Sequence, residues 1–347
     1  MIESRKEDHI EICLNEDVEL EENYWDMLRF YHNALPEVNL EEISLKTKFL
    51  GKDIDAPIMI AAITGGFSGA KNINRQLAEV AEELQIPMGV GSQRAALEND
   101  ELRESYEVIK EYDIPIVFSN IGAPQLISQE EKTPFGIEEL EESLKMIGGH
   151  YVAVHFNFLQ EIIQPEGDHR ARGILDTITD ICEELPIVAK ETGAGISSDV
   201  AVKLERAGVK AIDVGGMGGT SFSAVEYYRT KDSEKRELAE KLWDWGIPTP
   251  VSVIECKRSV DLPIIATGGV RSGVHTAKAL ALGADMTGIA GGILPYIKEG
   301  KEETKKYIEN MIEGLKATMF LLGCRDINDL KSEKMIITNN LRDWLEI

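Results

Sequence analysis

Cysteine is scarce in this chain. Its four copies, Cys13, Cys182, Cys256 and Cys324, are scattered without a Cys-x-x-Cys pair. That excludes a disulfide framework and a paired-cysteine zinc site, and it points to reduced thiols in a cytoplasmic protein. Long apolar runs are missing too: nothing approaches the ~18 consecutive apolar residues of a membrane span. The opening segment Met1-Ile2-Glu3-Ser4-Arg5-Lys6-Glu7-Asp8 has no apolar core of the kind a signal peptide needs. Positive charge is in deficit, with 37 Lys and Arg against 61 Asp and Glu and a formal net charge of −24. This argues against nucleic acid or an anionic membrane as a partner. Any anionic ligand must therefore be held by a local cluster of cations working against the overall field.

What is present is the composition of one large globular unit. Hydrophobic residues make up 43% and charged residues 28% of 347 positions, and no low-complexity linker divides them. From Pro57 onward, short apolar runs alternate with helical patterns. The expected strands are Ile58–Ala62, Met88–Gly91, Ile116–Asn120, Tyr151–Asn157, Ile187–Lys190, Ala211–Gly215, Ile264–Thr267 and Met286–Ala290. Helical periodicity is clearest over Asn72–Leu84 and Ser198–Ala207. Eight regular βα units predict an α/β fold of the TIM (β/α)8 barrel type, with a doubly wound sheet as the alternative. Residues 1–50 form a charged N-terminal extension with an aromatic-bearing helix expected around Asn23–Leu35. Residues 51–347 hold the barrel and C-terminal helices, with one helix over Glu302–Leu322 stopped at Gly323 and a short capping helix over 339–347. The sixth βα connection is long and carries Tyr227, Tyr228, Trp243 and Trp245, which suits either a lid or an extra helix packed on the barrel.

In such a barrel the chemistry lies at the C-terminal ends of the strands. The fourth strand ends in the most distinctive segment, His155-Phe156-Asn157-Phe158-Leu159-Gln160-Glu161, followed by Pro165-Glu166-Gly167-Asp168. His155 and Asn157 are expected to share one strand face, with Gln160 and Glu161 in the following loop. Imidazole, amides and a carboxylate together suit a polar, anionic or metal-bridged ligand, and Glu161 could hold Mg²⁺, act as a base or be a solvated loop acid. Glu166 and Asp168 are expected to be solvated and to cap a helix beginning near Arg170. Arg94, in Gly91-Ser92-Gln93-Arg94, has the planar fork that fits a phosphate. Asn120 could read a heterocycle edge or cap the next segment. Lys190 admits three readings: a pair with Glu191 or another acid, a Schiff base, or a cation stabilising negative charge on a cofactor. Thr64-Gly65-Gly66, Gly215-Gly216-Met217-Gly218-Gly219-Thr220-Ser221, Thr267-Gly268-Gly269-Val270-Arg271-Ser272-Gly273 and Ala290-Gly291-Gly292 complete the set. Glycine-rich turns after the last two strands, one opening a helix, match a barrel phosphate site, with Arg271 as an added cation.

Taken together, these segments and Ser4-Arg5-Lys6-Glu7-Asp8-His9 resemble the FMN-dependent type II isopentenyl diphosphate isomerases. The likeness runs in order from residue 4 to residue 292, and its most specific part is His155 to Asp168. Ile63 departs from the methionine common there. The resemblance implies a TIM barrel that binds FMN and Mg²⁺, uses a reductant such as NADPH to keep the flavin reduced, and interconverts isopentenyl and dimethylallyl diphosphate. It implies flavin contacts at Ala62, Ile63, Thr64, Ser92, Asn120, Lys190, Thr220, Gly268, Gly269, Arg271, Ala290 and Gly291. It implies diphosphate contacts at Arg5, Lys6, Ser92, Arg94, His155 and Asn157, Gln160 beside the alkene, and Glu161 on the metal. Gln160 and Lys190 are the expected catalytic residues, and a homo-oligomer, tetramer or octamer, is expected. The competing reading is another FMN-barrel oxidoreductase of the hydroxy-acid oxidase type. Those enzymes use a histidine near strand six or seven, where this chain reads Asp213-Val214-Gly215-Gly216-Met217-Gly218-Gly219.

Overall fold

A computed structural model describes residues 2–130 and 132–345. Eight parallel strands close into a barrel: β1 (Ile58–Ile60), β2 (Met88–Gly89), β3 (Val117–Gly122), β4 (Tyr151–Phe156), β5 (Ile187–Glu191), β6 (Ala211–Asp213), β7 (Ile264–Thr267) and β8 (Met286–Ile289). The period-2 alternation of each run sorts its side chains between the barrel interior and the surrounding helices. Met59 and Val188 point into the barrel, where they meet Phe118, Ile265 and Met286, while Ile58, Ile60, Ile187 and Ala189 face the helices. A hairpin of Thr47–Phe49 and Lys52–Ile54 straddles residue 50, and its Phe49 and Ile54 join the residues inside the barrel. Side chains, not ligand, therefore fill this part of the interior.

The helices at Ala70–Leu84 and Ser198–Ala207 lie where periodicity placed them. The helix Lys301–Leu322 ends at Gly323, whose φ of +81° suits a left-handed cap. Among the described residues, no helix is long and apolar enough to cross a membrane.

Three local expectations are corrected. The stretch 23–35 is not a helix: a single turn at Tyr24–Met27 leads into the strand Leu28–Phe30, which pairs antiparallel with Met335–Ile337. Trp25 and Leu28 are fully buried, and tertiary contacts override local helix propensity there. The C-terminal capping helix is instead two short turns, Asn339–Leu341 and Asp343–Leu345, and positions 346 and 347 lie outside the described residues. The segment after β4 is a helix, Phe158–Ile163, not a loop.

The long sixth connection folds as a helical pair, Phe222–Arg229 and Ser233–Lys241, before the barrel helix Thr249–Ser259. Tyr227, Tyr228 and Trp243 meet edge to face, with centroids 5.3–6.2 Å apart. The aromatics thus pack the pair, and the first of its helices reaches both the Phe158–Ile163 helix and the N-terminal helix Ile2–Asn15.

Candidate active site

Every residue expected at the site lines one cavity at the C-terminal mouth of the barrel, together with His9, Ile10 and Cys13 of the N-terminal helix. At the β7–β8 side the lining is mostly backbone. Gly268 and Gly269 take φ of +119° and +70°, and a Cβ on either would come within 2.3–2.5 Å of the Gly216 and Gly218 carbonyls. Glycine is needed here because two backbones approach closely. The extension supports this turn: Trp25 Nε1 donates to the Gly268 carbonyl at 2.8 Å and Asn23 Nδ2 to that of Gly269 at 2.7 Å. Ser272 caps the helix Gly273–Ala281, its hydroxyl accepting from the His275 N–H at 3.2 Å, so the turn that carries Arg271 leads straight into a helix. Arg271 is paired with Glu19 of the extension. The strap around Glu19 is stitched to the neighbouring loop after β6, Leu20 N–H donating to the Gly219 carbonyl and Ser221 N–H to that of Val18. A glycine cradle, an arginine and Thr220 fit the phosphate of a flavin mononucleotide.

Strand register sets the middle of the site. His155 lies beside Lys190, and Lys190 beside Asp213, on three adjacent strands. Lys190 Nζ donates to Asp213 Oδ2 at 2.9 Å and to the Glu191 carbonyl at 3.1 Å, and the pair is buried. Of the acids that sequence allowed, Asp213 is its partner. The Glu191 carboxylate turns away and accepts four backbone N–H groups, from Thr192 to Gly195. Burial pushes Glu191 up to about 7, against the pull of those donors.

The helix Phe158–Ile163 organises the other side. Asn157 has left the strand (φ −141°, ψ 37°) and stands at the helix N-cap, so it does not share a strand face with His155. Asn157, Gln160, Glu161 and Gln164 then fall on one helical face by the i, i+3, i+4, i+7 rule. Glu161 is buried and accepts from Asn157 Nδ2 at 3.0 Å, from Gln164 Nε2, and from the Asp168 N–H at 2.7 Å. Asn157 Oδ1 and Gln164 Oε1 are buried with no partner. One carboxylate flanked by two unmet amide oxygens is a hard, all-oxygen donor set that fits Mg²⁺. Among the described residues, no group of three or more His, Cys, Asp or Glu could hold a metal, so such a cation would lean on amides, water and ligand phosphate.

Asp168 is not solvated and caps no helix; the next one begins at Ile174. It is buried between Arg94, at 3.1 Å, and Lys132, at 2.8 Å. Burial works to raise it, yet Lys132 and Arg94 hold its carboxyl below the usual range. Glu166 stays half exposed, 2.9 Å from Arg229 and 3.8 Å from Arg5. His155 Nδ1 lies 2.7 Å from Asn120 Oδ1, while Asn120 Nδ2 donates to Val90 at 2.8 Å. This orients the ring with Nδ1–H on Asn120 and Nε2 unprotonated. Burial, then Lys190 and Lys6, push His155 down to about 3. The imidazole is therefore neutral near pH 7, not a standing cation for the diphosphate.

The N-terminal helix brings Arg5, Lys6 and His9 over the mouth. Lys6 Nζ donates to the Gly65 and Ser92 carbonyls, both at 2.6 Å, and to Tyr106 Oη at 2.7 Å. It staples the β1 and β2 turns together. Burial, followed by Arg5 and Arg94, lowers Lys6 to about 7. Tyr106, fully buried, lies where any side chain at Gly65 would go, 2.0 Å from its Cβ position. Sequence reasoning named neither Tyr106 nor Glu226. Glu226, fully buried, joins His9 at 2.9 Å, Gln160 Nε2 at 2.8 Å and Arg229 Nε at 2.7 Å. Burial opposes its ionisation, and His9 and Arg229 outweigh it, so its carboxyl sits below the ordinary range. The only sequence signal for it was the unusual length of the sixth connection.

Comparison with known proteins agrees with this geometry. Residues 3–104 and 100–337 match the FMN-dependent dehydrogenase family. An isopentenyl-diphosphate delta-isomerase of Picrophilus torridus is 44% identical, covering 100% of this chain and 99% of its own length. Another, from Thermococcus onnurineus, is 47% identical over 99% of this chain and 93% of its own. Among solved structures, a lactate oxidase of Pediococcus acidilactici superposes with a TM-score of 0.66 at 17% identity, covering 97% of this chain and 94% of its own. A mandelate oxidase gives 0.65 at 14%, covering 97% and 98%. These oxidases share the fold alone, whereas the full-length likeness to the isomerases carries the assignment: the chain belongs to the type II isopentenyl-diphosphate delta-isomerases of the FMN-dependent dehydrogenase family.

Proposed function

We propose that this protein interconverts isopentenyl and dimethylallyl diphosphate by a 1,3-allylic proton shift, with FMN kept reduced by NADPH or another reductant and with Mg²⁺, which Glu161 would hold, helping to bind the diphosphate. The observation that carries the reading is that a glycine-lined phosphate cradle and the Asn157–Gln160–Glu161–Gln164 face open into one cavity. When bound, reduced flavin supplies acid–base chemistry that the side chains at the reacting end lack. The chain's own residues do the rest. Lys190 keeps a cation at the rim with Asp213 as its counter-ion. Gln160 is held by Glu226 with its amide oxygen turned toward Asn157, which places it to orient the alkene. Arg5 and Arg94 supply standing charge for the diphosphate, Lys6 adds to it while protonated, and the N-terminal helix excludes water from the mouth. A homo-oligomer belongs to the same reading.

The test is isomerisation of ¹³C-labelled isopentenyl diphosphate, followed by NMR under anaerobic conditions with FMN and a limiting reductant. Many turnovers per reductant oxidised are expected, and one reductant consumed per product would overturn the reading. Glu161→Gln should raise the Mg²⁺ concentration needed while FMN stays bound; an unchanged metal requirement removes Glu161 from the metal site.

A further inference from the structure

Tyr307 lies on the helix Lys301–Leu322, outside every motif singled out in the sequence. Its hydroxyl is one of five buried side-chain atoms without a hydrogen-bond partner among the described residues. Three of the other four, on Asn157, Gln164 and Thr267, belong to residues lining the cavity, and Tyr307 lies just behind that lining, against Gly292. Tyr307 stacks on Tyr296, with centroids 4.4 Å apart and planes at 20°, which fixes its ring. The hydroxyl sits against the turn after β8 and the side chain of Arg271. A Cβ on Gly292 would lie 2.9 Å from Tyr307 Oη and 3.0 Å from Arg271 Cδ. The neighbouring Gly291 leaves room in the same way for Thr220 Oγ1 and the Arg271 guanidinium. Burial raises the phenol's pKa although Arg271 pulls against it, so the group stays an O–H donor at neutral pH. A buried donor without an acceptor is unfavourable, and a phosphate oxygen is a strong acceptor.

We propose that Tyr307 Oη donates a hydrogen bond to the phosphate group held between the Gly268–Arg271 and Gly291–Gly292 turns, making the helix after the barrel part of the cofactor site. The inference rests on the FMN reading above and extends it to a residue no strand-end motif contains. It also gives Gly292 a reason: a side chain there would displace the hydroxyl.

The test compares FMN with riboflavin, which has the same ring system and no phosphate, as ligands of the flavin-depleted full chain, read by flavin fluorescence. Tyr307→Phe keeps the stack and removes only the hydroxyl. It should weaken FMN about tenfold while riboflavin affinity stays within a factor of two. Phosphorus NMR of the FMN-loaded protein should show the bound 5′-phosphate resonance shifted between Tyr307→Phe and wild type. Equal FMN affinity with an unmoved phosphate resonance would overturn the proposal. Equal weakening of both flavins would also overturn it, because the hydroxyl would then act through the fold. If wild type binds neither flavin, the FMN reading fails first and takes the inference with it.

Discussion

On the β7–β8 side of the mouth, the surface offered to a ligand is chiefly backbone, set by Gly268, Gly269 and Gly291. Across the cavity, on the β2–β4 side, it is side chains: Arg94, His155, Asn157, Gln160 and Glu161, with Arg5 and Lys6 above them. The first region needs little beyond turns in which glycine lets two backbones approach closely. The second is a web in which each group is held by another from a distant element, Arg94 by Asp168, Gln160 by Glu226 and His155 by Asn120. A backbone cradle is local in sequence and a side-chain web is not. Substitutions should therefore act differently on the two: at the cradle on flavin alone, at the web on substrate alone.

The largest effect is expected where the two regions meet. Lys190→Met leaves Asp213 buried without its cation, which should destabilise the protein by about 3–5 kcal/mol and damage both regions together. Urea unfolding measures this, and adding Asp213→Leu should restore most of the stability without restoring activity. Next is the cradle. Gly268→Ala puts a Cβ 2.3 Å from the Gly216 carbonyl at a φ of +119°. It should cost about 1–3 kcal/mol and empty the protein of flavin, while Asp168, Glu161 and Arg94 keep their pairing. Flavin absorbance per chain is the readout.

The web predicts a pH dependence. Burial holds the folded pKa of Lys6 at about 7, below the 10.5 of a free lysine. The folded protein thus binds fewer protons than the unfolded chain between these values, and this group's contribution to stability grows as pH rises through that window. Substrate affinity moves the other way, because the ammonium is lost above pH ~7. The ratio of wild-type KM to that of Lys6→Arg should therefore rise between about pH 6 and about pH 9, since arginine stays charged. A constant ratio would remove Lys6 from diphosphate binding. The smallest effect is at Glu19. Glu19→Gln frees Arg271 from a half-exposed carboxylate and should tighten FMN only a few-fold, less at high salt.

The same contrast governs what could be read from sequence. All eight strands were legible to within two residues at each end, because β-branched runs and glycine turns repeat with the barrel. The cradle was legible for the same reason. The helical spacing of 157, 160, 161 and 164 was also in the sequence, but expecting a loop after β4 hid it. Asp168 looked solvated because its partner Arg94 is 74 residues away. Glu226 reaches Gln160 across 66 residues and His9 across 217; no local pattern encodes such contacts. Tyr24–Phe30 was misread because Trp25 is spent on the Gly268 turn, not on a helical face.

The division between the two regions is tested most directly by removing residues 1–8, which takes Arg5 and Lys6 from the web and leaves the Val18–Leu20 strap on the cradle. Two charge-assisted contacts, each contributing roughly 1–3 kcal/mol, should make the KM for isopentenyl diphosphate rise at least tenfold. FMN affinity should stay within a factor of two of the full chain. A KM within a factor of two, or an FMN affinity that falls in step with it, contradicts the account.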